Sequence, residues 1–208
     1  VLRIDHFRGF VSSWEVPAGQ KTAVKGKWAD APGDDFFRAL IKYIPNPALI
    51  AEDLGYITAD VRELLGKLGL PGMKVLLFAF GEDIENNPYI PHNVGENSVI
   101  YTGTHDNNTS RGWFEEEASD ADKERLFSYL GRKVNARRIN WELIRLAMGS
   151  VSSIAVFPMQ DILGLGADSR MNDPAGNHPS WQWRLKPGEL DRKAGERLRE
   201  LTRLYGRA

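Results

Sequence analysis

Three acidic residues, Asp5, Glu52 and Asp106, each come at or just after the end of an apolar run that is rich in β-branched residues. Such runs predict strands that are buried on both faces, as parallel sheets require. Carboxylates at the carboxyl ends of parallel strands lie where α/β barrels place their chemistry. Three carboxylates at one rim indicate glycoside chemistry, in which one is the nucleophile and another the proton donor.

Asp5 has three basic residues close to it in the sequence, Arg3, His6 and Arg8. Nearby positive charge favours an ionised carboxylate, which is the form that a glycosyl nucleophile must have. The alternative is a structural ion pair between Asp5 and an arginine at the end of a strand. Judged from this short segment alone, the structural alternative is the better supported of the two.

Glu52 follows three apolar residues and directly precedes a second acid, Asp53. A proton donor must hold its proton near neutral pH, and a neighbouring carboxylate together with partial burial favours the protonated form. Successive side chains of a strand point to opposite faces, so only one of the two acids can face the site. Asp53 is the rival candidate on sequence alone, and we expect it to take a structural role as a helix cap or in a loop salt bridge.

Asp106 belongs to a polar run that begins with His105, and such runs often cap the following helix. A His–Asp pair is also suited to binding adjacent sugar hydroxyls through charge-assisted hydrogen bonds. Both interpretations stay open on the residues alone.

Several aromatic side chains are candidates to stack on sugar rings, although large aromatics more often belong to the core. Trp28 lies in a glycine-rich segment close to Asp5 and is the best candidate. Trp113 and Phe114 are also candidates for stacking, although a place in the hydrophobic core is the better supported alternative. Trp181 and Trp183 are spaced as in a strand, and we expect them to bury one face.

The elements that must position these residues alternate between strand and helix patterns. Strands are predicted at residues 49–52, 74–80, 99–102 and 154–157, in addition to the run before Asp5. Helices are predicted at residues 34–43, 58–68, 119–131, 135–148 and 187–205, with Asp34 and Thr58 as caps and Leu190 on the inner face of the last helix. Long loops are predicted after Arg8 and at residues 81–96. The alternation predicts an α/β fold with a parallel sheet.

Composition narrows the function classes. Hydrophobic residues make up 42% and charged residues 26% of the chain, as in ordinary globular domains. The net charge of −1 gives no reason to expect nucleic acid or an anionic membrane as a partner. The chain has no cysteine, which excludes disulfides and thiolate-bound zinc. No leader and no membrane-spanning run is recognisable, so a cytoplasmic location is expected.

Eight collinear segments carry a family resemblance. The three main ones are Arg-Ile-Asp-His-Phe-Arg-Gly at residues 3–9, Ala-Glu-Asp-Leu-Gly at 51–55 and Tyr-Thr-Gly-Thr-His-Asp-Asn at 101–107. Shorter ones lie at residues 16–19, 72–76, 91–93, 160–166 and 170–172. In order and spacing they resemble the amylomaltases, the 4-α-glucanotransferases of glycoside hydrolase family 77 in the α-amylase clan. The resemblance covers nearly the whole chain.

This resemblance implies a role for each candidate residue. Asp5 would be the nucleophile, Arg3 the residue that orients it, and Glu52 the general acid and base. Asp106, with His105 beside it, would bind the hydroxyls of the sugar at the cleavage point. The segment that contains Asn172 would also contact substrate. The implied reaction is a retaining double displacement on α-1,4-glucans and maltooligosaccharides that needs no metal or organic cofactor.

The resemblance also implies that residues 1–208 are the C-terminal part of a catalytic (β/α)8 barrel of the TIM type, about strands 4 to 8 with their helices. A complete member has three earlier strands and inserted subdomains, so the missing N-terminal half of the barrel is an expected partner. The chain alone is then expected to be inactive. Two alternatives stay open: an α-amylase-like glucan hydrolase and a non-enzymatic glucan-binding fragment.

Overall fold

The computed structural model describes residues 1–176 and 180–207. The chain divides into two compact units, Val1–Met73 and a second unit that begins at Lys74. The boundary falls within a strand, Gly72–Val75.

The first unit consists of short parallel strands, two helices and a hairpin. Its elements are β1 (Leu2–Ile4), β2 (Ser12–Glu15), β3 (Lys27–Asp30), α1 (Gly33–Tyr43), β4 (Leu49–Ala51), α2 (Ala59–Leu68) and the start of β5 (Gly72–Val75). β1, β4 and β5 are adjacent in that order. β1 pairs with β4 in parallel, so that Ile4 lies opposite Ala51, and Ala51 in turn lies opposite Gly72.

The core of the first unit forms where α1 and α2 pack on the segment after β1. The rings of Phe7 and Phe37 lie 5.5 Å apart and both are buried. Val61, Leu64 and Leu65 bury the predicted apolar face of α2 against them, which confirms the helical periodicity. These local patterns could be recognised in the sequence because an amphipathic helix repeats its apolar residues at a fixed spacing.

The long loop predicted after Arg8 is wrong over part of its length. β2 and β3 form an antiparallel hairpin in which Trp14 lies directly opposite Trp28. Gly26 is required beside this pair, because a Cβ there would lie 2.6 Å from the Glu15 carbonyl and from the Trp14 ring. The hairpin depends on a cross-strand pair, which single-strand patterns do not reveal.

Neither predicted cap in this unit closes its helix through its side chain. Asp34 lies in the first turn of α1, and Pro32 occupies the cap position. Thr58 does occupy the cap position of α2, but its hydroxyl donates to the Asp60 carboxylate. Acidic residues in a first turn still favour the helix through its dipole.

The second unit contains two parallel strands after the remainder of β5, together with several helices. Its elements are β6 (Ser98–Tyr101), α3 (Ser110–Gly112), a π-helical turn (Trp113–Glu117), α4 (Asp120–Leu130), α5 (Ile139–Met148), β7 (Ile154–Val156), α6 (Met159–Leu163) and α7 (Arg192–Leu204). β6 lies between β5 and β7 in strand order, and β6 and β7 are parallel, with Tyr101 opposite Val156. Parallel strands that alternate with helices confirm the α/β prediction.

Three boundaries in this unit differ from prediction. β5 ends at Val75 and the chain continues as a 3₁₀ turn, so a strand over 74–80 is wrong. α5 begins at Ile139 and not at 135. α7 begins at Arg192, capped by Asp191, which leaves Leu190 outside the helix and 64% exposed. By contrast α4 lies within its predicted range, because Ser119 and Asp122 form a capping box and Gly131 ends it.

The strands differ in how far they are buried. All three residues of β4 are buried, as are Ser98, Val99 and Ile100 of β6. Leu2 of β1 is 64% exposed and Ile154 of β7 is 40% exposed. Burial on both faces is therefore confirmed for β4, whereas β1 is partly exposed within the described residues. Among the described residues, no helix is long and apolar enough to cross a membrane.

Candidate active site

Asp5 and Glu52 lie side by side in the first unit, because each directly follows one of two paired parallel strands, β1 and β4. The pairing continues into the acids themselves: the Glu52 N–H donates to the Ile4 carbonyl at 2.9 Å. The Phe7 N–H donates to the Glu52 carbonyl at 3.0 Å. The sheet register thus sets which two acids become neighbours.

The Glu52 carboxyl is held by backbone groups on both sides. Its Oε2 accepts from the His6 N–H at 2.7 Å, and its Oε1 accepts from the Leu54 N–H at 2.9 Å. His6 has a positive φ of 46°, so the chain turns sharply directly after Asp5. Two bonds to rigid backbone fix the orientation of a carboxyl group more firmly than bonds to mobile side chains would.

Asp5 is open to solvent and has one basic partner close by. Arg3 Nη1 lies 2.9 Å from Asp5 Oδ1, with the Asp5 side chain 76% exposed and that of Arg3 29% exposed. The same Nη1 lies 3.9 Å from the Met73 sulfur. An exposed ion pair adds little stability, but it restricts the directions in which the Asp5 carboxylate can point.

Asp53 turns to the neighbouring strand. Its Oδ1 accepts from the Met73 N–H at 2.6 Å, and a Cβ on Gly72 would collide with the Asp53 carboxyl. Asp53 therefore makes a structural bond to the start of β5. Alternation along the strand separates Asp53 from Glu52, as expected.

Trp28 is 51% exposed and lies in an aromatic cluster that we call the hairpin platform, made of Trp14, Trp28 and the Arg8 guanidinium. The two indole rings are 5.4 Å apart, and Arg8 stacks on Trp28 at 4.1 Å. Arg8 also donates to the Tyr56 carbonyl at 3.1 Å and to the Thr58 hydroxyl at 3.0 Å. The sequence led us to expect that Arg8 adds positive charge near Asp5. In the structure its guanidinium stiffens the hairpin platform.

In the second unit the structure brings together three predicted residues. Asn172 Nδ2 donates to Asp106 Oδ1 at 2.6 Å, and His105 Nε2 lies 3.4 Å from Asp106 Oδ2. The Asn172 N–H donates to the His105 carbonyl at 3.0 Å. The Asp106 side chain is 46% exposed, so it can still contact a ligand.

The polar run does cap α3, as the capping alternative predicted, but through its last residue and not through Asp106. Thr109 caps α3, since its hydroxyl oxygen accepts from the Gly112 N–H at 3.0 Å. Asp106 and His105 therefore belong to a loop between β6 and α3 and are available for binding.

Arg170 is a site residue to which the sequence argument gave no role of its own. Its Nη2 donates to the Asp106 carbonyl at 2.8 Å and its Nε donates to the Asn172 carbonyl at 2.9 Å. It also pairs with Asp173 at 3.3 Å and with Glu117 at 3.4 Å. The family segment at residues 170–172 includes Arg170, but it did not reveal which groups this side chain would bind.

The predictions for the remaining aromatic residues are confirmed in part. Trp113 and Phe114 are 8% and 9% exposed and belong to the core, as their stronger alternative predicted. Trp181 is 54% exposed, has a φ of 63° and lies 5.2 Å from the His105 ring, so its expected burial is wrong. Trp183 is half-buried and is not part of a strand. Within residues 1–176 and 180–207, no three His, Cys, Asp or Glu side chains cluster in a way that could hold a metal ion.

The chain is similar to known proteins of one family. A family model described as 4-alpha-glucanotransferase matches residues 1–191. The 4-alpha-glucanotransferase of Synechocystis sp. is 50% identical over 209 residues, which cover 100% of this chain and 41% of the relative. The chloroplastic/amyloplastic 4-alpha-glucanotransferase of Solanum tuberosum is 46% identical over 210 residues, covering 99% of this chain and 36% of the relative.

A solved structure, amylomaltase from Streptococcus agalactiae in complex with acarbose, matches with a TM-score of 0.92 and 38% identity. The match covers 98% of this chain and 41% of that chain. The chain therefore spans about two fifths of the length of most of the curated relatives described for it.

Proposed function

We propose a function from the premise that this chain belongs to the 4-alpha-glucanotransferase family. The protein that contains it transfers α-1,4-glucan segments between maltooligosaccharides, or to glucose. The observation that carries the proposal is the pair Asp5 and Glu52 at the adjacent carboxyl ends of β1 and β4. Paired carboxyl groups at such a position are what a retaining glycoside reaction needs.

In the first step Asp5 attacks the anomeric carbon of a glucan while Glu52 protonates the departing sugar oxygen. The C–O bond to the leaving chain breaks, and an ester between Asp5 and the glucan forms. The exposure of the Asp5 side chain supports this role, because a nucleophile must reach its substrate. Arg3, 2.9 Å from Asp5, keeps the attacking oxygen aimed.

In the second step Glu52 takes the proton of the 4-hydroxyl of an acceptor glucan, which attacks the ester and releases Asp5. The two backbone bonds to Glu52 hold its carboxyl in place for both steps. Retention requires carboxyl groups about 5–5.5 Å apart. A water molecule in place of the acceptor would give hydrolysis.

Asp106 binds hydroxyls of the sugar that reacts, with His105 and Asn172 beside it. Asn172 and His105 keep the Asp106 carboxylate in one orientation at 2.6 Å and 3.4 Å. A carboxylate so held can accept from two neighbouring hydroxyls of a sugar. The relative from Streptococcus agalactiae was solved in complex with acarbose, which we propose as a ligand of this protein too.

Trp28 is the proposed stacking surface for a further glucose unit of the chain. Its ring is exposed and is held by Trp14 and Arg8, so little side-chain freedom is lost when a sugar stacks on it. The hairpin platform thus supplies apolar area, whereas the acids supply charge.

The proposal also covers the other strands of the barrel and the location of the protein in the cell. Strands 4 to 8 of a (β/α)8 barrel are assigned to this chain, and the other strands come from residues outside it. Residues 1–208 by themselves are then inactive. No metal or organic cofactor takes part in the proposed steps, and the cytoplasmic location predicted from the sequence belongs to the same proposal.

The product pattern tests this function. Incubation of the complete protein with maltotriose should yield glucose and maltopentaose together, without a net gain of reducing ends. A rise in reducing ends in step with glucose would instead identify an α-amylase-like hydrolase. Binding of acarbose without any product would identify a glucan-binding protein.

A further inference from the structure

We propose that Asp161 is a positioning residue that fixes both ends of the loop carrying His105 and Asp106. The loop, residues 103–109, lies between Thr102, which directly follows β6, and the first residue of α3. The proposal rests on the proposed function, because it assigns to Asp161 the placement of the groups that bind the sugar. Asp161 lies outside the set of residues that were expected to touch substrate.

One carboxylate contacts both borders of this loop. Asp161 Oδ2 accepts from the Thr102 hydroxyl at 2.5 Å, directly before the loop. The same oxygen accepts from the Ser110 hydroxyl at 2.8 Å, and Oδ1 accepts from the Ser110 N–H at 2.7 Å, directly after it. The loop is therefore closed at its base by three hydrogen bonds to a single side chain.

These contacts are shielded from water. Asp161 is 1% exposed, and Thr102 and Ser110 are both fully buried. A buried carboxylate is costly unless its oxygens are hydrogen-bonded, and removal of it leaves three buried donors without their acceptor. A side chain that only filled space would not need this arrangement.

The residue next to Asp161 fixes the segment that meets this loop. Gln160 Nε2 donates to the Ser169 carbonyl at 3.1 Å, directly before Arg170. Arg170 then donates to the Asp106 carbonyl at 2.8 Å, and Asn172 to the Asp106 carboxylate at 2.6 Å. Two consecutive residues of α6 thus hold the two segments that come together at Asp106.

α6 is itself held on α5. Asn140 Nδ2 donates to the Asp161 carbonyl at 2.7 Å, and both residues are buried. This contact gives Asp161 a fixed point from which to hold the loop. Displacement of a binding group by about 1 Å can cost on the order of 10²-fold in rate.

The test compares three variants of the complete protein. Asp161→Ala should lower kcat/KM for maltotriose on the order of 10²-fold. Asp161→Asn should stay within about tenfold of the wild type, because its amide can accept from the Ser110 N–H and donate to the two hydroxyls. Ser98→Ala is the matched control: it removes a buried bond of 2.7 Å to Ser152 at the other end of β6 and should leave kcat/KM unchanged.

A double-mutant cycle separates positioning from general stability. In an Asp106→Asn background, Asp161→Ala should lower kcat/KM by less than about a further threefold, because the group that Asp161 positions is already disabled. Additive losses would overturn the proposal. Ser98→Ala in the same background should show no coupling to Asp106.

Amide hydrogen exchange of residues 103–109 tests the positioning role of Asp161 without relying on glucan transfer. Asp161→Ala should speed exchange in the loop, whereas Ser98→Ala should not. Unchanged exchange would overturn the positioning role even in an active enzyme, and a wild type that transfers no glucan would overturn only the function. If Asp161→Ala does not fold, the pair Thr102→Val and Ser110→Ala removes the two hydroxyl donors and serves in its place.

Discussion

Glu52 and Asp106 each follow a parallel strand, yet the two units hold these carboxyl groups by different means. Glu52 accepts from two backbone N–H groups, of His6 and Leu54. Asp106 is held by side chains, with Asn172 at 2.6 Å and His105 at 3.4 Å. Strand register and the adjoining backbone are thus enough to orient the Glu52 carboxyl, whereas the Asp106 carboxyl in its loop needs further side chains behind it.

The difference predicts where substitutions act. Around Glu52, few side chains other than the acid can be changed to disturb its orientation, because backbone supplies both donors. Around Asp106, substitution of a residue that holds its carboxylate or its loop, such as Asn172 or Asp161, should change the orientation of the Asp106 carboxylate.

The largest effect should come from Glu52→Gln in the complete protein. Transfer from maltotriose should fall on the order of 10³-fold, because glutamine cannot protonate the leaving oxygen. A glucosyl substrate with a good leaving group should still react with Asp5. Asp53→Asn is the matched control and should retain transfer; normal activity of Glu52→Gln on maltotriose would leave Asp53 as the candidate acid.

Residues 1–208 purified by themselves test both units at once. We expect at least about 10²-fold less glucose release from maltotriose than the complete protein gives, because the rim would lack neighbouring strands. Light scattering should show association through exposed strand edges. A soluble monomer with the activity of the complete protein would contradict the assignment to part of a barrel.

Asn172→Ala sharpens the comparison on the Asp106 side. Loss of a hydrogen bond to a carboxylate should lower kcat/KM for maltotriose about 10- to 30-fold. Asn86→Ala is the control, since Asn86 makes a similar exposed bond to Asp83 at 3.0 Å. Equal effects of the two substitutions would argue against Asp106 as a binding group.

Trp28→Ala tests the hairpin platform with a smaller expected effect. Loss of a stacking surface should raise KM for maltooligosaccharides about fivefold and leave kcat nearly unchanged. Tyr43→Ala serves as control, because Tyr43 is an exposed aromatic of α1 in the same unit. A loss confined to kcat would place Trp28 in a different role.

The smallest effect concerns stability and pH. Burial raises the pKa of Asp161 above its ordinary value of 3.8, against the lowering effect of its bonds to Thr102 and Ser110. The folded state then binds the proton more tightly than the unfolded chain does, so this contribution is fully present below pH 3.8 and is lost as pH rises through the raised pKa. The Tm of the wild type should therefore fall by a few degrees relative to Asp161→Asn as pH rises from acid to neutral. A constant Tm difference would contradict a raised pKa.

Patterns that repeat within one element were predictable. The apolar face of α2, the range of α4 and the strand before Glu52 follow from local spacing. The hairpin that pairs Trp14 with Trp28, the exposed Trp181 and the end of β5 at Val75 were not predictable in this way. Each depends on a partner that is distant in the sequence, and a local pattern carries no information about that partner.

The sequence by itself determined which acids end the strand segments, the alternation of strands and helices, and the family to which the chain belongs. Only the tertiary structure decided that backbone holds Glu52, that Asn172 and Arg170 meet at Asp106, and that Asp161 closes the loop beneath it. The physical reason is that residue type and period act along the chain, whereas hydrogen bonds across 46 to 66 positions exist only after packing has fixed distance and direction.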